Sequence, residues 1–157
     1  MRLALLDFKI ADELLAKNMS DQFLDLLPTR TILFPHTSEI LEYLTNKNYA
    51  LHLITNGFEK TQHSKLKYSG LGKFFKEVIT SEGSSSLKPN KEIFDYAFEK
   101  TGAKPAESIM LGDSIDVDII GAMNAGIDQV FINHLNIPID IKPTYVVRSL
   151  KELEEIF

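Results

Sequence analysis

Residues 108–124 read Ser-Ile-Met-Leu-Gly-Asp-Ser-Ile-Asp-Val-Asp-Ile-Ile-Gly-Ala-Met-Asn, and the way this run breaks decides the fold. Ser108-Ile109-Met110-Leu111 is a short apolar run closed by Gly112-Asp113, the pattern of a buried strand. A helix is expected to follow, around Asp118 to Asn124. The same alternation extends in both directions. Upstream lie the strand Glu77-Val78-Ile79-Thr80 and a helix after Pro89 that carries Ile93, Phe94, Ala97 and Phe98 at three- and four-residue steps. Further upstream, Tyr49 to Ile54 is an apolar run closed by Thr55-Asn56-Gly57, preceded by a helix after Pro35 and followed by one across Thr61 to Tyr68. Downstream come the strand Gln129 to Ile132, a short strand at Tyr145-Val146-Val147 and a terminal helix from Ser149. Strands alternating with helices imply an α/β fold of Rossmann-like type, a parallel sheet with helices on both faces. Ser84-Ser85-Ser86 reads as a polar loop, and no internal repeat interrupts the series.

Residues 1–30 differ. Leu14, Leu15, Met19, Phe23, Leu26 and Leu27 recur at helical spacing and stop at Pro28, so the chain divides into a helical segment, 1–31, and an α/β core, 32–157. The aromatic residues Phe8, Phe23, Phe74, Phe75, Phe94 and Phe98 are expected to pack in the core.

Composition narrows the function. With 157 residues, 44% of them apolar, the chain can bury one ordinary core. A net charge of −5 provides no basic field for a nucleic-acid backbone or an anionic membrane, so neither is an expected partner. There is no cysteine, which excludes disulfides and thiolate ligands. The apolar start Leu3-Ala4-Leu5-Leu6 breaks at Asp7 and Lys9 without a small-residue cleavage pattern, and no apolar stretch approaches a membrane span. The expected location is the cytoplasm.

In an open parallel sheet, ligands sit beyond the carboxyl ends of the strands, and four polar segments lie there. Asp113 and Asp118 flank the turn after Leu111 and can face one hard cation, with Mg²⁺ suited because it keeps waters and takes one or two carboxylates. Thr55, with the backbone N–H groups of Asn56 and Gly57, can hold phosphoryl oxygens, although Asn-Gly is also a strong turn dipeptide. Lys88 stands before the helix opened by Pro89 and can neutralise an anion. His36, His52, His63 and His134 have no ligand spacing and read as structural or surface groups.

Together these segments resemble the haloacid dehalogenase-like hydrolase superfamily over nearly the whole chain. Its later motifs are a strand-ending Thr or Ser, a Lys before a helix, and a Gly-Asp with a second Asp a few residues on; here they fall on Thr55, Lys88, and Asp113 with Asp118. The runs "LITNGF", "LKPNKEIFDYA" and "GDSIDVDIIGAMNAGI" look most like the branch of pyrimidine 5′-nucleotidases and related small-ester phosphatases. The resemblance implies a Mg²⁺-dependent phosphatase of a small phosphate ester such as a nucleoside monophosphate. It assigns Asp113 to the metal directly, Asp118 to its support, Lys88 to bridging nucleophile and phosphate, and Thr55 to a phosphoryl oxygen.

The family's attacking aspartate, with a second aspartate two residues later, ends a first, central strand that precedes a helical cap. Residues 1–31 look like the last part of such a cap, so the chain reads as truncated before that strand, and its own activity is in question. Asp7 ends an apolar run, but Lys9 stands at the second aspartate's place and no Gly-Thr follows, which speaks against Asp7 as nucleophile. The missing strand would lie between those ending at Thr55 and Leu111. Unpaired buried edges are costly and adhesive, so the vacancy is expected to be filled by residues 1–8, by a partner subunit in a homo-oligomer, or by a separate complementing segment. The alternative function is a non-catalytic remnant that binds Mg²⁺ or a phosphorylated ligand and works by association.

Overall fold

The computed structural model describes every residue from Met1 to Phe157. Two helices come first: α1, Arg2–Asp7, and α2, Glu13–Leu26. Asp12 caps α2, its carboxylate accepting a hydrogen bond from Leu15 N at 2.9 Å and satisfying one of the orphan N–H groups of the first turn. Helix α3, Thr37–Asn46, leads into strand β1, His52–Thr55. Then follow α4, Glu59–Ser69; β2, Glu77–Thr80; the one-turn α5, Ser81–Ser84; and α6, Lys91–Thr101. Both α4 and α6 stop at a glycine in the left-handed region, Gly70 and Gly102, a conformation that costs glycine nothing. Strand β3, Ile109–Gly112, passes through a π-helical turn, Ile115–Ile119, into α7, Ile120–Asn124. The chain ends with β4, Asp128–Ile132, β5, Tyr145–Val147, and a 3₁₀ stretch, Leu150–Glu155.

All strand pairs are parallel, in two groups: β1 beside β2, and β3, β4 and β5 in that order. Side chains alternate between two cores. On one face Ile54 of β1 and Met110 of β3 both pack against a cluster built from Ile93, Phe94 and Ala97 of α6 and Ala122 of α7. On the other, Leu51, Ile109 and Leu111 pack with Ile40 and Leu44 of α3 and Leu153 of the terminal stretch. The shared helices hold both strand groups in one layer, while β1 and β3 form no ladder with each other. The edges of β1 and β3 left without a strand partner define a slot in the strand layer between the two groups. Its flanking strands are half-buried along their whole length, whereas Val130 and Phe131 of the interior strand β4 are almost fully buried.

Several expectations are corrected here. Residues 1–8 do not fill the slot: Arg2–Asp7 is helical and buries none of its side chains. Asp7 therefore lies on an exposed helix and ends no strand. Phe8 and Phe23 are exposed, at 78% and 49%, whereas Phe94 is fully buried; α2 buries only Ala16 and leaves Leu14, Phe23 and Leu26 open. An apolar helical period specifies a face but not what covers it. The expected Ser84–Ser86 loop begins inside α5, whose cap is Thr80 Oγ1 accepting from Gly83 N at 3.1 Å. The strand foreseen from Tyr49 begins only at His52. Pro89 precedes α6, which starts at Lys91, and the terminal helix is 3₁₀.

Candidate phosphate and metal site

The carboxyl ends of β1 and β3 lie on either side of the slot, and a buried ion pair bridges them. Lys88 Nζ donates to Asp118 Oδ1 at 2.6 Å, the two side chains only 11% and 8% exposed. Such a pair repays its desolvation only with good geometry and further hydrogen bonds, and both are present. Asp118 Oδ2 accepts from Ser114 N at 3.2 Å, while Asp118 N donates to Ser114 O at 2.9 Å. The backbone of Lys88 is clamped as well, its N–H donating to Asn56 Oδ1 at 2.7 Å and its carbonyl accepting from Asn56 Nδ2 at 3.0 Å. Asn56 in turn is steadied from below, where Ser81 Oγ of α5 donates to Asn56 O at 3.2 Å. Lys88 is thus held at its backbone by Asn56, in the turn after β1 and itself bonded by Ser81 of α5, and at its charged end by Asp118 of the π-helical turn.

Two glycines permit this approach. A Cβ on Gly112 would lie 2.3 Å from Asp118 Cβ, so only glycine lets that carboxylate fold back over the end of β3. A Cβ on Gly121 would lie 3.0 Å from Pro89 Cα and 2.9 Å from the Phe94 ring; its absence lets α7 press against the residue that follows Lys88.

The remaining candidates sit around this bridge. Thr55 Oγ1, at the end of β1, accepts from Gly57 N at 3.2 Å, which turns the chain sharply beyond the strand. Asp113 is exposed at the end of β3, with its carboxylate in no ion pair or hydrogen bond, and Asp116 is likewise exposed. The donor set tests the fit of Mg²⁺. No group of three or more His, Asp or Glu side chains converges, and Asp118 already serves Lys88 and Ser114. Asp113 is free to bind a cation directly, with Asp118 in support through its remaining lone pairs; one or two carboxylates plus waters is the arrangement Mg²⁺ accepts.

The structure thus joins Asn56, Lys88 and Asp118 by direct contact, sets Thr55 and Gly57 on the adjoining turn, and leaves Asp113 at the rim. Sequence reading placed Asp118 in the first turn of a helix; it stands in the π-helical turn before α7. The amide clamp of Asn56, the prop from Ser81 and the close approaches at Gly112 and Gly121 were not foreseen. The Gly and Asn positions were visible, but their partners lie far away in sequence. None of the four histidines joins the site. His52 Nδ1 is buried on β1 without a hydrogen-bond partner, and burial lowers the pKa of its ring against the opposing pull of Glu77, with Lys76 lowering it further.

Residues 7–132 match the family model described as haloacid dehalogenase-like hydrolase. The chain is 42% identical over 113 residues to the pyrimidine 5′-nucleotidase YjjG of Escherichia coli, an alignment covering 69% of this chain and 50% of that protein. It is 41% identical over 100 residues to a glyceraldehyde 3-phosphate phosphatase of Methanothermobacter thermautotrophicus, covering 64% of this chain and 44% of that one. Among solved structures, the HAD-hydrolase YfnB from Bacillus subtilis bound to magnesium superposes with a TM-score of 0.87 at 29% identity, over 99% of this chain and 67% of that one. The chain spans about half the length of the curated relatives it matches.

Proposed function

The chain belongs to the haloacid dehalogenase-like hydrolase family, and we propose that its bridged strand ends are the phosphate- and Mg²⁺-handling part of a phosphatase for a small phosphate ester, a nucleoside monophosphate being one candidate. The observation that carries this is the Lys88–Asp118 pair at 2.6 Å, a cation fixed at the carboxyl ends of two parallel strands.

In this reading Lys88 offsets the charge of the bound phosphate. Asp118 and Asn56 are positioning residues that hold Lys88, so little reorganisation is needed when charge develops; such preorganisation is commonly the largest electrostatic contribution to catalysis. The Thr55 hydroxyl, released from Gly57 N, and the N–H groups of that turn orient phosphoryl oxygens. Asp113 would hold the metal, with Asp118 in support. Mg²⁺ bound there supplies Lewis-acid charge stabilisation. The attacking carboxylate is not among these residues. We assign it to an extended segment that seats between β1 and β3 and pairs with both free edges, supplied by a partner subunit or a separate segment of polypeptide. No helix of the chain is long and apolar enough to cross a membrane, and the acidic composition suits a small-molecule partner better than a nucleic acid.

A second reading, binding of a phosphorylated ligand without hydrolysis, is favoured by one observation: Asp118 is engaged by Lys88 and Ser114 N, which leaves Asp113 as the one free carboxylate of the pair and no second one to attack phosphorus. Mg²⁺-dependent hydrolysis of an aryl phosphate, measured on the chain with an added segment that carries the attacking carboxylate and beside the Asp113→Asn variant, separates the two. Turnover that disappears in the variant supports the phosphatase. Mg²⁺-dependent phosphate binding without turnover supports the second reading, and the absence of both overturns the site.

A further inference from the structure

A second recess lies on the opposite edge of the β1–β2 pair, away from the slot. Strand β2 pairs only with β1, so its other edge is open. That edge forms the floor of a cavity of about 600 Å³, within the range of small-molecule sites. Helix α4 walls one side and α6 the other. Gly72 and Phe75 line it near the start of β2, and Gly83 of α5 near its end.

Three lysines converge on it. Lys67 from α4, Lys76 before β2 and Lys100 from α6 all line it, and none of the three forms an ion pair. The lysines that do are Lys17, Lys73, Lys88, Lys91 and Lys104. Lys100 Nζ lies 5.6 Å from the Tyr96 ring centroid, and the Tyr96 hydroxyl, also in the recess, makes no hydrogen bond within the protein. Two carboxylates, Glu59 and Glu77, line it too, so against three lysines the recess keeps a net positive charge with His63 neutral, on a chain of net charge −5. Leu66, Phe75 and Val78 add an apolar wall.

We propose that this recess binds a small organic anion, an aromatic or aliphatic body against Leu66, Phe75 and Val78 with its carboxylate or phosphate met by Lys67, Lys76 and Lys100. It is separate from the phosphate site of the strand ends, sharing none of the residues placed there.

The test is a titration of the ¹⁵N-labelled chain with phenylphosphonate, which has the anion and the ring but no ester to hydrolyse, with benzoate and neutral benzyl alcohol in parallel. Saturable shifts are expected at Gly72, Glu77 to Thr80 and Gly83 for one or both anions, the stronger binder identifying which acid the recess prefers, and none for benzyl alcohol. Lys67→Ala/Lys100→Ala, at two exposed positions, is expected to weaken binding by more than about tenfold, as loss of charged hydrogen bonds does, and Lys67→Arg/Lys100→Arg to restore it. Shifts confined to Asn56, Gly57 and Ser114, equal affinity in the alanine variant, or equal binding of benzyl alcohol would overturn the proposal.

Discussion

Replacing Lys88 by Met keeps most of the stem of the side chain and removes its charge. Asp118, 8% exposed at its side chain, then retains Ser114 N as its partner at 3.2 Å and loses the 2.6 Å contact that balanced it. With both partners this well buried, solvent screening offers little relief, and an uncompensated buried charge costs about 3–5 kcal/mol. An exposed pair would lose no more than about 1 kcal/mol. Asp118→Asn keeps an oxygen for Ser114 N while removing the matching charge, so the double variant Lys88→Met/Asp118→Asn should recover most of the loss, since replacing both members of a buried pair is often close to neutral. Urea denaturation in buffer free of phosphate and Mg²⁺ measures all three variants without ligand linkage. A loss below about 1 kcal/mol in Lys88→Met would place the lysine among ordinary screened surface charges and refute the argument that it is held in place for a ligand.

Other consequences follow from the same contacts. Asn56→Ala removes both amide bonds to the Lys88 backbone; because the position is exposed and water can substitute, the stability loss should be about 1 kcal/mol, while the phosphate affinity measured by calorimetry falls. Gly121→Ala drives a methyl group against Pro89 Cα at 3.0 Å, an overpacking that should cost about 1–3 kcal/mol in thermal denaturation. His52 binds its proton less tightly folded than unfolded because its ring is partly buried. Its contribution is therefore full above its ordinary value of 6.5 and is lost as pH falls from there through the lowered folded value; His52→Leu should flatten that part of the stability–pH curve.

The parallel α/β layer was legible because its signal is local. Runs such as Glu77–Thr80 and Tyr145–Val147 are apolar, short and closed by turn residues, and the structure makes strands of both. The period of α2 was equally plain, yet its Phe23 faces solvent, since periodicity cannot report a missing partner. Of the site, the identities of Thr55, Lys88, Asp113 and Asp118 stood out by their positions after strands or before helices. What joins them did not, because it is set by approaches across 30 residues or more: Asn56 reaches Lys88, Lys88 reaches Asp118, and glycines at 112 and 121 make room. A π-helical turn in place of a regular helix start carries no sequence mark of its own.

The central claim is that the ends of β1 and β3 form one site for phosphate and Mg²⁺. Calorimetric titration of the folded chain with inorganic phosphate, with and without Mg²⁺ and beside Asp113→Asn, tests it most directly. Position 113 is exposed, so this variant alters the ligand set without disturbing the fold. The account predicts saturable phosphate binding that strengthens when Mg²⁺ is present and loses that gain in Asp113→Asn; phosphate binding indifferent to both, or no binding at all, would contradict it.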